Sequence, residues 1–214
     1  MTVVAVPDEQ RLRLSFVSWN TYLTYSNALG DRPIRVTYDR GEMEILSPSS
    51  RHENRKRVLG RLVEALAEVL GIDIASYGST TFRREDLERA VEPDECYWIQ
   101  NEKIVRGRDD IDIAVDPPPD LAIEIEVSRS TLKRMNIDAA LGVPEVWRWD
   151  GQTDFSVWLL TPRSACRESQ RSKSFPFLPL EEFTGFLTWT GISETQHIRS
   201  FRTWVRKRAK QGWK

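Results

Sequence analysis

The sequence predicts an α/β (α+β) fold, in which strands and helices belong to one domain. Three observations support this fold class. Residues 34–46 alternate between apolar and polar side chains around a turn, and residues 58–70 repeat their apolar side chains every 3 or 4 positions. Residues 121–127 form a run rich in β-branched side chains behind three prolines, which is typical of a central strand.

Size and composition indicate a single globular domain. The chain has 214 residues, of which 40% are hydrophobic and 29% charged, and this balance excludes disordered and collagen-like proteins. No apolar run approaches the roughly 20 residues of a membrane span. Residues 1–10 lack the charged and apolar parts of an export sequence. The two cysteines, Cys96 and Cys166, are too few to stabilise a fold of this size through disulfides. This fits a reducing compartment, so a cytoplasmic protein is expected.

The first half of the chain predicts a hairpin followed by a long helix. Residues 34–46 form the hairpin, with its turn at Asp39, Arg40 and Gly41. Ser50 and Glu53 match a capping box, and Gly71 provides a helix stop after the apolar stripe. We therefore expect a helix over residues 50–70.

The second half predicts five more strands and two more helices. Residues 72–82 read as extended, and a strand follows Pro93, which keeps Glu92 out of a helix. After the central strand, Ser128 or Ser130 could cap a helix that runs to Leu141. The remaining predicted elements are a hairpin over 146–160, loops over 101–110 and 164–174, and a C-terminal helix over 194–210.

The charge balance and the motifs of the sequence leave carboxylates as the main candidates for functional side chains. Lys and Arg number 31 against 32 Asp and Glu, so any contact with nucleic acid has to be local. The two histidines, His52 and His197, exclude a His-rich zinc site, and His52 is interpreted as a surface or capping residue. No nucleophile elbow, P-loop or dinucleotide fingerprint is present.

Glu124 and Glu126 are the leading candidates for a site. They stand two positions apart on the central strand, so both face the same side, about 7 Å apart. Two such carboxylates repel, and a divalent cation is the ordinary way to hold both ionised. Glu124→Gln is then expected to stabilise the metal-free protein. The alternative is that the strand lies near an edge of the sheet and both acids are merely solvated or paired with arginines.

Three further acidic or basic features complete the candidate list. Asp94 follows a proline just before a strand, a position that Glu92, Glu95 or Asp120 could equally fill. Glu64 lies on the long helix and either flanks its buried stripe or faces solvent, the second being favoured. Lys133 and Arg134 follow the central strand, and either could orient a phosphate.

The C-terminal segment, residues 199–214, holds seven basic and no acidic residues, interleaved with Phe201, Trp204 and Trp213. It could lie along a phosphate backbone. A basic amphipathic helix that docks through its aromatic side chains is the alternative.

Four ordered motifs resemble the Uma2 family of restriction-endonuclease-like domains, which is abundant in cyanobacteria. The resemblance covers nearly the whole chain, and the motifs that carry it are SPSSRHENRKRVLGRLVEAL (47–66), EPDECYWIQ (92–100), PPDLAIEIEVS (118–128) and ALGVPEVWRWDG (140–151). The resemblance implies a restriction-endonuclease-like (PD-(D/E)xK) fold, with a mixed sheet flanked by helices, an N-terminal hairpin and a C-terminal helix.

The resemblance also implies a site and a reaction. Asp94 and Glu124 take the positions of the two motif acids, and Glu64 falls where many such folds carry a helix glutamate. These three acids would bind Mg²⁺ or Mn²⁺ for hydrolysis of DNA, and folds of this kind often dimerise. Glu126 stands where the motif has its lysine, and the best matching basic position is Arg134, beside Lys133. The leading hypothesis is thus a DNA endonuclease, and the alternative is a weak or inactive nucleic-acid-binding or regulatory protein.

Overall fold

The computed structural model describes residues 9–30, 32–127, 130 and 132–213. Its strands are β1 (Gln10–Leu14), β2 (Arg35–Asp39), β3 (Glu42–Ser47), β4 (Ala75–Ser76), β5 (Phe82–Arg84), β6 (Arg89–Val91), β7 (Glu95–Trp98), β8 (Leu121–Ile125), β9 (Glu145–Trp149), β10 (Phe155–Leu160) and β11 (Cys166–Ser169). Its helices are α1 (Trp19–Leu29), α2 (Ser50–Leu70), α3 (Glu102–Val105), α4 (Arg134–Ala140), α5 (Leu180–Thr184) and α6 (Glu194–Lys210).

The strands form two sheets. The first has five strands in the order β1-β3-β2-β6-β5, and the second has six in the order β11-β10-β9-β8-β7-β4. In the second sheet β8 runs parallel to β9 and antiparallel to β7, so that sheet is mixed. The mixed sheet flanked by helices confirms the predicted fold class.

Strand β8 lies in the middle of the second sheet and is buried along its whole length. Ile123 and Ile125 face the core that α2 and α6 cover. Ala122 faces the opposite core, which includes Ile137 of α4. Because side chains alternate along a strand, Glu124 shares the α4 face with Ala122. The predicted central strand is therefore confirmed, with its acidic side chain under α4.

The first hairpin and the long helix form as predicted. Arg40 and Gly41 connect β2 to β3 with φ of 47° and 92°, the left-handed pair that a tight hairpin turn requires. Helix α2 covers the predicted residues 50–70, and Gly71 ends it in the left-handed conformation. Its N-cap is Ser49 rather than the predicted Ser50, because the Ser49 hydroxyl accepts the His52 amide.

Other boundaries differ from the prediction. The helix after β8 begins at Arg134, because Ser130 instead accepts the Leu132 amide in a local turn. Ser128 lies outside the described residues. The segments predicted as loops contain α3 and β11, and α1 was not predicted at all.

Helix α6 packs against α2 through Ile198, Phe201 and Val205. Trp204 and Trp213 lie against this core, with ring centroids 5.9 Å apart. The predicted amphipathic helix that docks through aromatic side chains is thus formed. No helix in the described part of the chain has the length and apolar character needed to cross a bilayer.

Candidate active site

Asp94 and Glu124 lie side by side where β7 begins and β8 ends. Glu95 pairs with Ile123 in the antiparallel register, which sets Asp94 opposite Glu124. The Asp94 amide donates to Ile123 O at 2.9 Å, and the Ile125 amide donates to Asp94 Oδ2 at 2.5 Å. Opposite residues on neighbouring strands have Cβ atoms about 5 Å apart. The structure therefore brings together two acids that are 30 positions apart in the chain.

Cationic and polar groups from two other elements surround the Asp94 carboxylate. Arg35 of β2 forms an ion pair with Oδ1, and His52 Nε2 of α2 lies 2.7 Å from the same oxygen. Arg35 also binds Glu53 at 2.9 Å. Asp94 and His52 are 1% and 0% exposed, so water screens these interactions little. The five-stranded sheet and α2 together enclose one end of the candidate site.

His52 is a buried member of this site, which corrects its interpretation as a surface or capping residue. Burial lowers the pKa of His52, an effect that a hydrogen bond to Glu9 opposes and the charge of Arg35 reinforces. The lowered pKa favours the neutral imidazole at neutral pH, and a neutral ring donates either to Asp94 or to Glu9, because it carries one N–H. The periodicity of α2 could have revealed this position, because His52 lies seven residues before the buried Leu59. The site also includes Arg35, for which the hairpin pattern gave no indication.

Glu124 is 3% exposed and is bound by Arg134 of α4. Arg134 Nη2 lies 2.9 Å from Oε1 and 2.8 Å from Oε2, and it also donates to Glu92 O at 2.8 Å. Burial raises the pKa of Glu124, and the Arg134 charge opposes that rise. Burial disfavours the charged form of Arg134, but Glu124 and Asp138 outweigh it and raise its pKa. Arg134 therefore keeps its proton.

The other basic and acidic candidates near β8 have separate surroundings. Glu126 forms an ion pair with Arg148 of β9, to which it is brought by the parallel pairing of β8 and β9. Lys133 is exposed just before α4 begins. Of the two adjacent basic residues, Arg134 contacts Glu124, and Lys133 has no described contact with it.

Glu64 lies apart from this pair. It follows His52 by 12 residues on α2, which corresponds to about 18 Å along the helix axis. It is half-buried, and its charge acts on Glu95 and Tyr97, which face α2 from β7. The structure thus does not bring Glu64 to Asp94 and Glu124.

The donor set of the site suits a hard divalent cation. Mg²⁺ commonly takes one or two carboxylates and completes its shell with water and substrate phosphate. Asp94 and Glu124 provide two carboxylates on adjacent strands. Among the described residues, no group of three or more His, Cys, Asp or Glu side chains forms a ready metal cluster. Arg35 and Arg134 already bind these carboxylates and would compete with a cation.

A cleft of about 480 Å³ opens beside the site. Its cationic lining residues are Arg32, Arg35, Lys56 and Arg83, and its acidic ones are Glu53 and Glu92. Arg35 connects the cleft directly to Asp94. The cleft lining therefore has more cationic than acidic side chains, and Arg35 joins it to the carboxylate pair.

Known proteins similar to this chain include putative nucleases. The family model Uma2, described as putative restriction endonuclease, matches residues 19–187, which include Asp94, Glu124 and Arg134 and end before α6. A solved structure of a putative nuclease belonging to DUF820, from Anabaena variabilis, is 14% identical. That match covers 88% of this chain and 99% of the other, with a TM-score of 0.49. A search of curated proteins gave no match. The family match spans most of the chain and confirms the resemblance seen in its motifs: this chain belongs to the Uma2 family of putative restriction endonucleases.

Proposed function

We propose that this chain is a divalent-metal-dependent endonuclease that hydrolyses phosphodiester bonds of DNA. The observation that carries the proposal is the pair of neighbouring buried carboxylates, Asp94 and Glu124. Membership of the Uma2 family supports the same reaction class. The cationic cleft beside Arg35 supports an anionic substrate.

Asp94 and Glu124 would hold Mg²⁺ or Mn²⁺ in this proposal. When bound, the cation activates water and neutralises charge on the phosphate. The Ile125 amide and the neutral His52 ring hold the Asp94 carboxylate in position for this role. Glu64 is left out of the proposed metal site because of its distance along α2.

The basic residue of the proposed site is Arg134. An arginine does not release its proton at neutral pH, so Arg134 stabilises negative charge and does not act as a general base. Glu126, in the position of the motif's lysine, has its charge balanced by Arg148. Lys133 lies on the surface, where it is free to contact the substrate backbone.

A second candidate function is DNA binding without efficient cleavage. The observation that favours it is that Asp94, Glu124 and Glu126 are each paired with an arginine. Carboxylates neutralised in this way bind a cation less strongly, because the cation has to displace a guanidinium group. This protein would recognise DNA through the same cleft.

Plasmid cleavage separates the two candidates. Supercoiled DNA is incubated with the wild-type chain in Mg²⁺, in Mn²⁺ and in EDTA, and the nicked and linear products are quantified. If the chain is an endonuclease, we expect metal-dependent cleavage that is lost in Asp94→Asn and Glu124→Gln. Glu64→Gln is the matched control and retains activity. Metal-dependent cleavage that survives in both site variants contradicts the proposed site, and DNA binding without cleavage favours the second candidate.

DNA is the proposed partner of the chain, and a homodimer would allow two copies to reach both strands. Light scattering with and without a short duplex measures the molar mass and so tests for the homodimer. A cytoplasmic location also stays a prediction, which fractionation of cells that express the tagged chain would test.

A further inference from the structure

The cleft beside the carboxylate pair has a preorganised cationic wall. This basic cleft, defined by Arg32, Arg35, Lys56 and Arg83, lies between α1, β2, α2 and β5. Arg35 links it to Asp94 at its inner end. Arg83 and Lys56 line it without contacting either carboxylate of the pair, so they are available for a different part of the substrate.

Arg83 is held by neutral groups. Its guanidinium donates to Ser26 Oγ at 2.9 Å, to Tyr22 Oη at 3.2 Å and to Asn27 Oδ1 at 3.4 Å. It also lies 5.9 Å from the centre of the Tyr22 ring. In the described part of the chain, no carboxylate forms an ion pair with Arg83 within 4.0 Å. These contacts orient the guanidinium and leave its positive charge uncompensated.

The neighbouring Arg84 shows the opposite arrangement. It follows Arg83 on β5, so its side chain projects to the other face. Arg84 donates to both carboxylate oxygens of Asp86, at 2.7 and 2.6 Å. The charge of Arg84 is therefore neutralised locally, and Arg83 is the residue of this strand that can bind an anion.

Lys56 adds a second cation to the same wall. Its Nζ lies 2.6 Å from Ser79 Oγ, a neutral partner across the cleft. Lys56 also forms a long ion pair with Glu53, whose Oε2 lies 3.9 Å from Nζ, beyond hydrogen-bond distance. Lys56 stands one helical turn after His52, the residue that contacts Asp94. The cationic wall thus begins within one turn of the carboxylate pair.

We propose that the basic cleft binds a DNA phosphate next to the scissile one, with Arg83 and Lys56 as its ligands. This inference rests on the proposed function and names the part of the substrate that the cleft takes. Guanidinium and ammonium groups recognise phosphate, which carries no sequence information. The described lining contains no aromatic ring on which a base could stack. The cleft therefore binds the DNA backbone independently of sequence.

Binding in EDTA, where cleavage is prevented, tests the inference. Fluorescence anisotropy is measured with two labelled duplexes of unrelated sequence over a series of salt concentrations. Arg83→Gln is expected to lower the affinity for both duplexes by about tenfold, because it removes one charged hydrogen bond. The slope of log K against log salt should fall by about one. Arg83→Lys retains the charge and most of the affinity, and Arg84→Gln leaves both affinity and slope unchanged.

The outcomes distinguish the cleft from the proposed reaction. If the wild-type chain cleaves DNA and Arg83→Gln binds DNA as tightly as the wild type, the cleft inference is overturned and the proposed endonuclease activity is supported. If DNA binding depends on Arg83 but the wild type does not cleave DNA, the proposed endonuclease activity is overturned and phosphate binding by the basic cleft is supported. A loss of affinity confined to one sequence, or an equal loss in Arg84→Gln, also overturns the inference. A wild type that neither binds nor cleaves DNA overturns both.

Discussion

Arg134 Nη2 lies 2.9 Å from Oε1 and 2.8 Å from Oε2 of Glu124, in a pair that α4 and the central strand bury. Such a pair is stabilising only while both partners remain, because each alone is an uncompensated charge in a medium of low dielectric constant. The pair therefore ties the candidate site to the stability of the fold. It also places a permanently protonated group beside the second motif acid.

Glu124→Gln is predicted to destabilise the metal-free protein. Removal of the carboxylate leaves the Arg134 guanidinium buried without its counterion, which costs about 3 kcal/mol. This reverses the expectation from the sequence, which considered only repulsion between Glu124 and Glu126. Urea unfolding of Glu124→Gln, Arg134→Gln and the double variant measures the coupling. Additive losses in the double variant would show that the pair makes no net contribution.

Arg134→Lys is predicted to increase DNA cleavage. The lysine keeps a positive charge near Glu124, but its ordinary pKa is lower than that of arginine, so it releases its proton more readily. A positioned general base contributes on the order of 10²–10⁴-fold, so a gain of about tenfold is a modest expectation. Single-turnover cleavage measures the rate, and Lys133→Arg serves as the control on the neighbouring exposed position. A rate below that of the wild type would contradict this role.

Asp138→Asn is predicted to stabilise the protein at neutral and alkaline pH. Asp138 is 1% exposed, and neither of its carboxylate oxygens has a hydrogen-bond partner among the described residues. Burial and the nearby Glu124 raise its pKa well above the ordinary 3.8. The folded state keeps this proton while the unfolded state releases it above pH 3.8. The wild type therefore loses stability as the pH rises toward the folded-state pKa, by about 1.4 kcal/mol per unit of pKa difference.

The measurement for Asp138→Asn is the urea midpoint at pH 5 and at pH 8. The variant carries a neutral amide at both values, so its advantage over the wild type should grow with pH. Asp154→Asn, on the turn between β9 and β10, is a control that should show no such trend. An advantage that stays constant or shrinks as the pH rises would contradict a protonated Asp138.

The basic face of α6 is predicted to make no contribution to cleavage. Arg199, Arg206 and Lys210 are exposed on this helix. Helix α6 covers the core on the Ile123 and Ile125 side of β8, whereas Glu124 faces α4. The Arg206→Gln, Lys210→Gln double variant should therefore cleave plasmid DNA at the wild-type rate. A clear loss of cleavage rate in this double variant would show instead that α6 contacts the DNA.

Helix α6 is also predicted to anchor the fold. Phe201 is fully buried between Phe183 and Phe186, with ring centroids 6.0 and 5.1 Å away. Phe201→Ala should lower the free energy of unfolding by about 4 kcal/mol, the usual loss for a buried phenylalanine. Thermal or urea unfolding measures it, with Thr203→Ala on the exposed face as the control. A loss below about 1 kcal/mol would contradict the docking of this helix.

Local patterns were sufficient for the elements that are strongly periodic. The stripe of α2, the turn at Arg40 and Gly41 and the β-branched run of β8 each specify their structure through neighbouring residues. Helix α1 was missed because its buried side chains, Trp19 and Tyr22, depend on contacts with Tyr38 from another element. Periodicity alone carries no information on such contacts.

The site was only partly predictable for the same reason. The motifs identified Asp94 and Glu124, and the strand register brings these residues together. The partners of Asp94 come from β2 and α2, and their arrival depends on how the two sheets pack. No local pattern could indicate that Arg35 and His52 would meet one carboxylate. Glu124 and Glu126 do pair with arginines, as the alternative expected. Its edge strand is wrong, because β8 lies in the middle of its sheet, with Glu124 buried and Glu126 partly exposed.

Calorimetric titration of Mn²⁺ into the folded protein with a short duplex present is the direct test of a metal site at Asp94 and Glu124. We expect saturable binding in the wild type and in Glu64→Gln, and loss of binding in Asp94→Asn and Glu124→Gln, each shown by circular dichroism to be folded. Binding that persists unchanged in both site variants, or that is absent from the wild type even with the duplex present, would contradict a metal site at Asp94 and Glu124.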